Sequence, residues 1–164
     1  MRAECRAQIE QALAWGVDAT HLDSHMGANQ IDPRFFEVYV ELAAEFALPL
    51  RMVGPAMEAR LGFPGRERAA AAGIVFNDEF VSRWGHPTAE LMRSVLPGLG
   101  PGVAEVNLHP VHDGPELRGY DKREPQIRID DHAVAMDRAM ADFIVGQGFA
   151  AISFRPLRDL QRAA

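Results

Sequence analysis

At 164 residues the chain is long enough for one domain with a hydrophobic core and too short for two domains of ordinary size. Hydrophobic residues make up 48% and charged residues 24%, which is ordinary for a globular protein and excludes disordered and fibrous classes. The net charge is −6 and the arginines are scattered, so the basic patch that nucleic-acid binding needs is missing. We therefore expect a single domain over 1–164 with no nucleic-acid partner.

The N-terminus and the rare residues exclude further classes. The first residues carry an acid early and lack a long apolar run, so we expect no secretory signal and no membrane contact, in a cytoplasmic protein. Cys5 is the only cysteine, which excludes an internal disulfide and a thiolate metal cluster. Lys122 is the only lysine and follows no glycine-rich loop, which excludes a P-loop and most Schiff-base chemistry.

Helices and strands are predicted to alternate along the chain. The predicted helices cover 2–15, a segment from Asp32-Pro33 to about 46, 65–72, 87–96, 131–147 and a short stretch from 156. A first strand with its exit loop is predicted over 17–25, and further strands are predicted over 49–53, 74–76, 103–109 and 149–154. Between them, 111–130 is predicted to be a polar loop, and Asp130-Asp131 is interpreted as a helix N-cap. This order predicts an α/β fold with parallel strands, like a distorted or incomplete TIM-type (β/α) barrel.

The segment Thr20-His21-Leu22-Asp23-Ser24-His25 is the first candidate site. In a strand, alternation places His21, Asp23 and His25 on one face. Imidazole and carboxylate suit Zn²⁺ and similar ions, so we predict His21 as a metal ligand and Asp23 as a group that orients a ligand or the water. The alternative is a polar strand end whose histidines are satisfied by local hydrogen bonds.

The segment 103–109 is the second candidate site. Polar and apolar residues alternate strictly along it, and a polar face inside an α/β fold indicates a barrel lumen or a cleft. Its polar face carries Glu105, Asn107 and His109. Pro110 ends the strand and leaves His109 at the carboxyl tip, where α/β barrels hold their chemistry. We predict that Glu105 and Arg51, which ends another strand, contact the substrate.

Several segments, taken in chain order, together resemble the YdjC-like carbohydrate deacetylases. They are Thr20–His25 with Met26-Gly27, Pro49–Arg51, Glu105–Pro110 as a Glu-x-x-x-His-Pro motif, Arg123-Glu124 and Ile152–Arg155. The resemblance implies a distorted (β/α) barrel that removes N-acetyl groups from amino sugars or chito-oligosaccharides with a divalent metal, Zn or Mg. It implies that His25 is a metal ligand and that His109 protonates the departing amine. The metal would polarise the acetyl carbonyl and activate water.

The sequence also departs from the family pattern. Relatives carry an Asp-Asp-Phe-Gly strand end and a Gly-x-His-x-x-Leu segment, and neither occurs here. We therefore expect a chain that resembles only the C-terminal part of such an enzyme, without the family's N-terminal strands. Exposed strand edges in such a barrel predict a homodimer.

These departures leave two other readings open. In the first, the chain is a catalytically incompetent fragment, or a sugar-binding or interaction module of the same fold. In the second, it is an unrelated metal hydrolase in which His21, Asp23, His25 and His109 complete a site among themselves.

Overall fold

The structure, a computed structural model, describes residues 1–163 and forms two compact units. The first comprises Met1–Glu79 with the C-terminal segment from Ile152, and the second comprises Phe80–Ala151. The helices are α1 (Arg2–Ala14), α2 (Pro33–Phe46), α3 (Pro55–Leu61), α4 (Gly65–Ala71), α5 (Thr88–Val95), α6 (Pro115–Tyr120), α7 (Pro125–Met136), α8 (Arg138–Gly146) and α9 (Arg155–Ala163). The strands are β1 (Glu79–Val81) and β2 (Ala104–Val106), and short 3-10 helices lie at His25–Gly27 and Leu96–Gly98.

Helix α2 supplies much of the core of the first unit. Asp32 caps it by accepting the backbone N–H of Arg34 at 2.8 Å, and Pro33 occupies the first turn, where no N–H is needed. Apolar residues at helical spacing pack onto the residues that follow α2: Phe36, Tyr39, Val40 and Ala43 against Leu50, Met52, Ala69 and Ile74. The helix predicted from Asp32-Pro33 to about 46 is therefore confirmed.

The predicted strands of the first unit pair at single residues. Leu50 forms parallel bridges with Leu22 and with Phe76. Side chains supply hydrogen bonds that a longer ladder would make. The Tyr39 hydroxyl donates to the Leu22 carbonyl at 2.7 Å, and the Asn77 side chain exchanges hydrogen bonds with the backbone N–H and C=O of Met52 at 2.8 and 2.9 Å. The strands predicted over 17–25, 49–53 and 74–76 are correctly located but wrong in length.

The second unit holds the sheet and a separate core. The sheet of the described residues has two strands, β1 and β2, and a core of Met92, Leu96 and Met140 lies beside it. β2 ends at Val106, so the predicted strand 103–109 is too long and His109 lies in the segment that follows it. β1 was not predicted. The fold class is mixed α/β and mostly helical, and the barrel stays a prediction.

Helical content was underestimated in the polar regions. The predicted loop 111–130 contains α6 and the start of α7, because Pro115 and Pro125 each occupy a first helical turn. The predicted helix 131–147 is interrupted at Asp137, whose carboxylate accepts the backbone N–H of Ala139 at 2.8 Å and caps α8. Residues 149–154, all within the described part of the chain, form no strand.

Two smaller findings complete the fold. Asp131 lies inside α7, so its interpretation as an N-cap is wrong. None of the helices within residues 1–163 is both long and apolar enough to cross a membrane.

Candidate functional site

His21 is held between a hydroxyl and an aromatic ring in the first unit. Its Nδ1 lies 3.0 Å from Thr20 Oγ1, and its ring stacks on Phe154 with centroids 3.8 Å apart and planes 14° from parallel. Burial lowers the pKa of His21, the positive charge of Arg51 lowers it further, and the carboxylate of Asp23 opposes the shift. The imidazole therefore favours its neutral form, which is the form that binds metals or accepts a hydrogen bond.

Asp23 and Arg51 form an ion pair next to His21. Arg51 Nη1 donates to Asp23 Oδ2 at 2.7 Å, and the pair is only partly exposed to solvent. The backbone explains the pairing, because the N–H of Arg51 donates to the carbonyl of Leu22 at 3.0 Å and brings the flanking side chains together. Two residues predicted for different roles, Asp23 in catalysis and Arg51 in substrate binding, thus meet in one contact.

His25 lies on the surface in the short 3-10 helix His25–Gly27. The turn is anchored beneath it. Ser24 Oγ accepts the Asn29 N–H at 2.7 Å, and the buried Gln30 side chain bonds to the backbone of Arg51 and of Val53. Because the chain turns at His25, strand alternation does not extend to it. The expectation that His21, Asp23 and His25 share a strand face is therefore wrong for His25.

A hydrolytic metal site needs about three protein ligands. No three His, Cys, Asp or Glu side chains within residues 1–163 are grouped so that they could hold a metal ion. The described residues therefore do not fit a self-contained metal centre. The reading of an unrelated hydrolase with a site made from His21, Asp23, His25 and His109 is not retained.

A small cleft in the second unit is lined in part by His109. Its polar lining includes Trp84, His86, Asn107, His109 and Asp131. The enclosed volume is about 10 Å³, close to the minimum for one water molecule, so a larger ligand would have to lie at the mouth. The predicted polar residues Asn107 and His109 thus share one cleft. Glu105, the predicted substrate contact, lies half-buried in β2.

The His109 ring contacts Trp84. The two rings meet edge to face, with centroids 5.1 Å apart and planes at 85°. Trp84 is itself held, because its indole N–H donates to Glu124 at 2.8 Å and the Arg128 guanidinium lies 5.0 Å from its ring centroid. Trp84 remains 45% exposed, which leaves aromatic surface beside the imidazole.

Asp131 is the polar group at this cleft that the sequence interpretation missed. It is 3% exposed, and its carboxylate accepts hydrogen bonds from the His109 backbone N–H at 2.8 Å and from the Thr88 hydroxyl. A helical pattern could have found it, because Ile127, Asp131 and Val134 fall at positions i, i+4 and i+7. That spacing puts the carboxylate on the apolar face of α7.

Comparisons with known proteins agree with the family motifs. The chain is 29% identical over 135 residues to a carbohydrate deacetylase of Thermoanaerobacter pseudethanolicus, covering 79% of this chain and 50% of that protein. It is also 29% identical over 154 residues to a carbohydrate deacetylase of Geobacillus stearothermophilus, covering 93% and 57%. The chain thus spans about half the length of the curated relatives it matches.

One solved structure shares the fold of this chain, and a family model identifies the family. A crystal structure of a candidate cellobiose-phosphate cleavage protein from Enterococcus faecalis superposes with a TM-score of 0.80 at 20% identity, covering 95% of this chain and 59% of that chain. The model described as YdjC-like protein matches residues 1–145. On this evidence the resemblance is confirmed, and the chain belongs to the YdjC-like protein family.

Proposed function

We propose that this chain carries part of a carbohydrate deacetylase site that hydrolyses the N-acetyl group of an amino sugar or chito-oligosaccharide. Family membership and the two carbohydrate deacetylase relatives support this reaction class. The observation that carries the proposal is the position of His109, whose ring lies beside the exposed Trp84 in the cleft of the second unit. The cleft brings a proton-transfer group next to an aromatic surface that suits a sugar ring.

The chemistry that we assign to His109 is protonation of the leaving group. Hydrolysis of an acetamide adds water across the C–N bond, so the departing nitrogen must gain a proton before it leaves as an amine. An imidazole holds and releases a proton near neutral pH. His109 would donate this proton, with its ring held by Trp84.

The sugar contacts are assigned by the same reasoning. The exposed part of the Trp84 ring would stack on the apolar face of a sugar, and Asn107 beside it would hydrogen-bond to hydroxyl groups. Arg51 in the first unit and Glu105 in the second each stay predicted substrate contacts. His21 and His25 remain the predicted metal ligands, but no catalytic step is assigned to a metal, because the described residues lack a group of three ligands.

A sugar-binding module without catalysis is the second candidate. The specific observation in its favour is that no three metal-ligating side chains come together within residues 1–163. In this case Trp84 and Asn107 would still bind a sugar, and His109 would act as a hydrogen-bonding group alone.

Acetate release and tryptophan fluorescence separate the two candidates. The chain has two tryptophans, Trp84 and the 77% exposed Trp15, so Trp15→Phe leaves Trp84 as the sole reporter and Trp84→Phe is the matched control. We expect N-acetylated chito-oligosaccharides to change the fluorescence of Trp15→Phe but not of Trp84→Phe, and to release acetate. A fluorescence change without acetate would favour the binding module. The absence of both the fluorescence change and the acetate would contradict both candidate functions.

A further inference from the structure

The segment that follows β2 depends on α7 for its backbone hydrogen bonds. The N–H of His109 donates to Asp131 Oδ2 at 2.8 Å, and the N–H of Val111 donates to the carbonyl of Arg128 at 3.1 Å. Pro110, between them, has no N–H. Each amide donor of His109–Val111 is therefore satisfied by one turn of α7, so this turn replaces the neighbouring strand that an extended segment would otherwise use.

Asp131 also ties this segment to α5. Its second oxygen accepts the hydroxyl of Thr88, the first residue of α5. A carboxylate that is 3% exposed is costly to bury unless both of its oxygens are hydrogen-bonded, and here both are. The residue thus joins α5, α7 and the backbone of His109 at one buried point.

His109 is contacted both at its backbone and at its ring. The carboxylate of Asp131 accepts the His109 backbone N–H, while Trp84 meets the imidazole edge to face. A side chain fixed at its backbone and at its ring keeps one orientation between turnovers. This is the condition for efficient proton transfer, since a displacement of about 1 Å can cost about 100-fold in rate.

We propose that Asp131 is a positioning residue that aims the imidazole of His109 into the cleft through the hydrogen bond to the His109 backbone. This inference rests on the proposed function for the role of His109 and adds to it the group that sets the geometry. Asp131 itself does not touch the substrate in this account. Its effect passes through the main chain of the His-Pro motif.

Three substitutions isolate the hydrogen bond. Asp131→Leu has nearly the same shape but removes both acceptors. Asp131→Asn keeps one oxygen for the His109 N–H, and Thr88 can rotate its hydroxyl to accept from the amide. Thr88→Val removes only the hydroxyl donor and keeps the bond from His109 to Asp131. Each substituted side chain is close in size to the one that it replaces.

NMR of the full 164-residue chain tests the bond without requiring activity. In the wild type, the His109 amide should exchange slowly with solvent, and the Trp84 and His109 rings should show mutual nuclear Overhauser contacts. Asp131→Leu should accelerate exchange of this amide by at least about tenfold and weaken the ring contacts. Asp131→Asn should stay close to the wild type in both signals. Thr88→Val leaves one Asp131 oxygen without its donor, so it should accelerate exchange of the His109 amide less than Asp131→Leu does.

The outcomes that overturn the proposal are specific. Fast exchange of the His109 amide in the wild type would by itself overturn the proposal. The test therefore stays decisive even if Asp131→Leu fails to fold. Unchanged exchange and ring contacts in a folded Asp131→Leu would also overturn it. The proposal would also be overturned if Thr88→Val accelerated exchange of the His109 amide as much as Asp131→Leu does.

A kinetic arm applies where acetate release is measurable. Asp131→Leu should lower kcat by about 100-fold with little change in KM, and Asp131→Asn should restore most of kcat. A rise in KM at constant kcat would overturn the positioning role. If the wild type releases no acetate, the proposed function fails, while the NMR result still decides whether Asp131 positions His109.

Discussion

Arg51 Nη1 donates to Asp23 Oδ2 at 2.7 Å, which joins side chains 28 residues apart in sequence beside the half-buried ring of His21. The two charges act on His21 in opposite directions, since Arg51 lowers its pKa and Asp23 raises it. Burial is the largest cause of the lowered pKa of His21, and the ion pair adjusts the pKa of this predicted metal ligand further.

Removing either charge should shift the pKa of His21 in a defined direction. Arg51→Gln should raise the pKa of His21, because a positive charge no longer opposes protonation, and Asp23→Asn should lower it. The ring signals of His21 in an NMR pH titration measure both shifts. Arg51→Lys keeps the charge and is the control. A lowered His21 pKa in Arg51→Gln would contradict this electrostatic account.

The lowered pKa of His21 also predicts a loss of stability in mild acid. Below the ordinary histidine value of about 6.5, the unfolded chain binds a proton that the folded chain resists. Stability should therefore fall as the pH drops from about 6.5 towards the lowered value, and above about 6.5 this contribution should vanish. Urea unfolding of the wild type and of His21→Gln measures it. The two proteins should have parallel pH dependence above neutrality and diverge below it, and parallel curves throughout would be the contrary result.

Asn77 should be among the most sensitive positions of the first unit. It is fully buried, and its side chain makes hydrogen bonds to the N–H and C=O of Met52 and to the carbonyl of Glu79. Asn77→Ala should lower the free energy of unfolding by about 3 kcal/mol, because each lost bond is worth about 1 kcal/mol and the buried Met52 groups lose a partner. Chemical denaturation measures the change, and a loss below about 1 kcal/mol would show that water or backbone movement replaces these bonds.

The purified chain should not bind zinc tightly by itself. The described residues provide no group of three ligands, and a metal held by one or two histidines is weakly bound. Isothermal titration with zinc after chelator treatment should show no stoichiometric binding. One equivalent bound tightly and lost in His25→Gln would restore His25 as a ligand in a site that this chain completes.

The local features of the fold were predictable from sequence. Asp32 and Pro33 define the start of α2 by their own chemistry, so the predicted helix agrees with the observed one. The predicted helices at 2–15, 65–72 and 87–96 agree with α1, α4 and α5 to within one or two residues, because Gly16, Gly73 and Pro87 mark their ends. Local signals in the sequence are enough to predict the bounds of such helices.

The features that depend on distant side chains were not predictable in the same way. Tyr39 and Asn77 hydrogen-bond to the segments around Leu22 and Met52, and the observed bridges are single residues rather than full strands. Asp131 looked like a cap because two acidic residues before a helix are common N-cap signals, whereas its partners Thr88 and His109 lie far away in sequence.

The homodimer that was expected from exposed strand edges stays a prediction.

The most direct test of the central claim compares leaving groups in wild type and His109→Gln. If His109 protonates the departing amine, His109→Gln should lose about 100-fold to 10,000-fold in acetate release from an N-acetylated chito-oligosaccharide. The same variant should lose less than about tenfold on p-nitrophenyl acetate, whose leaving group needs no proton. Equal losses on both substrates, or no loss on the sugar amide, would contradict the role of His109.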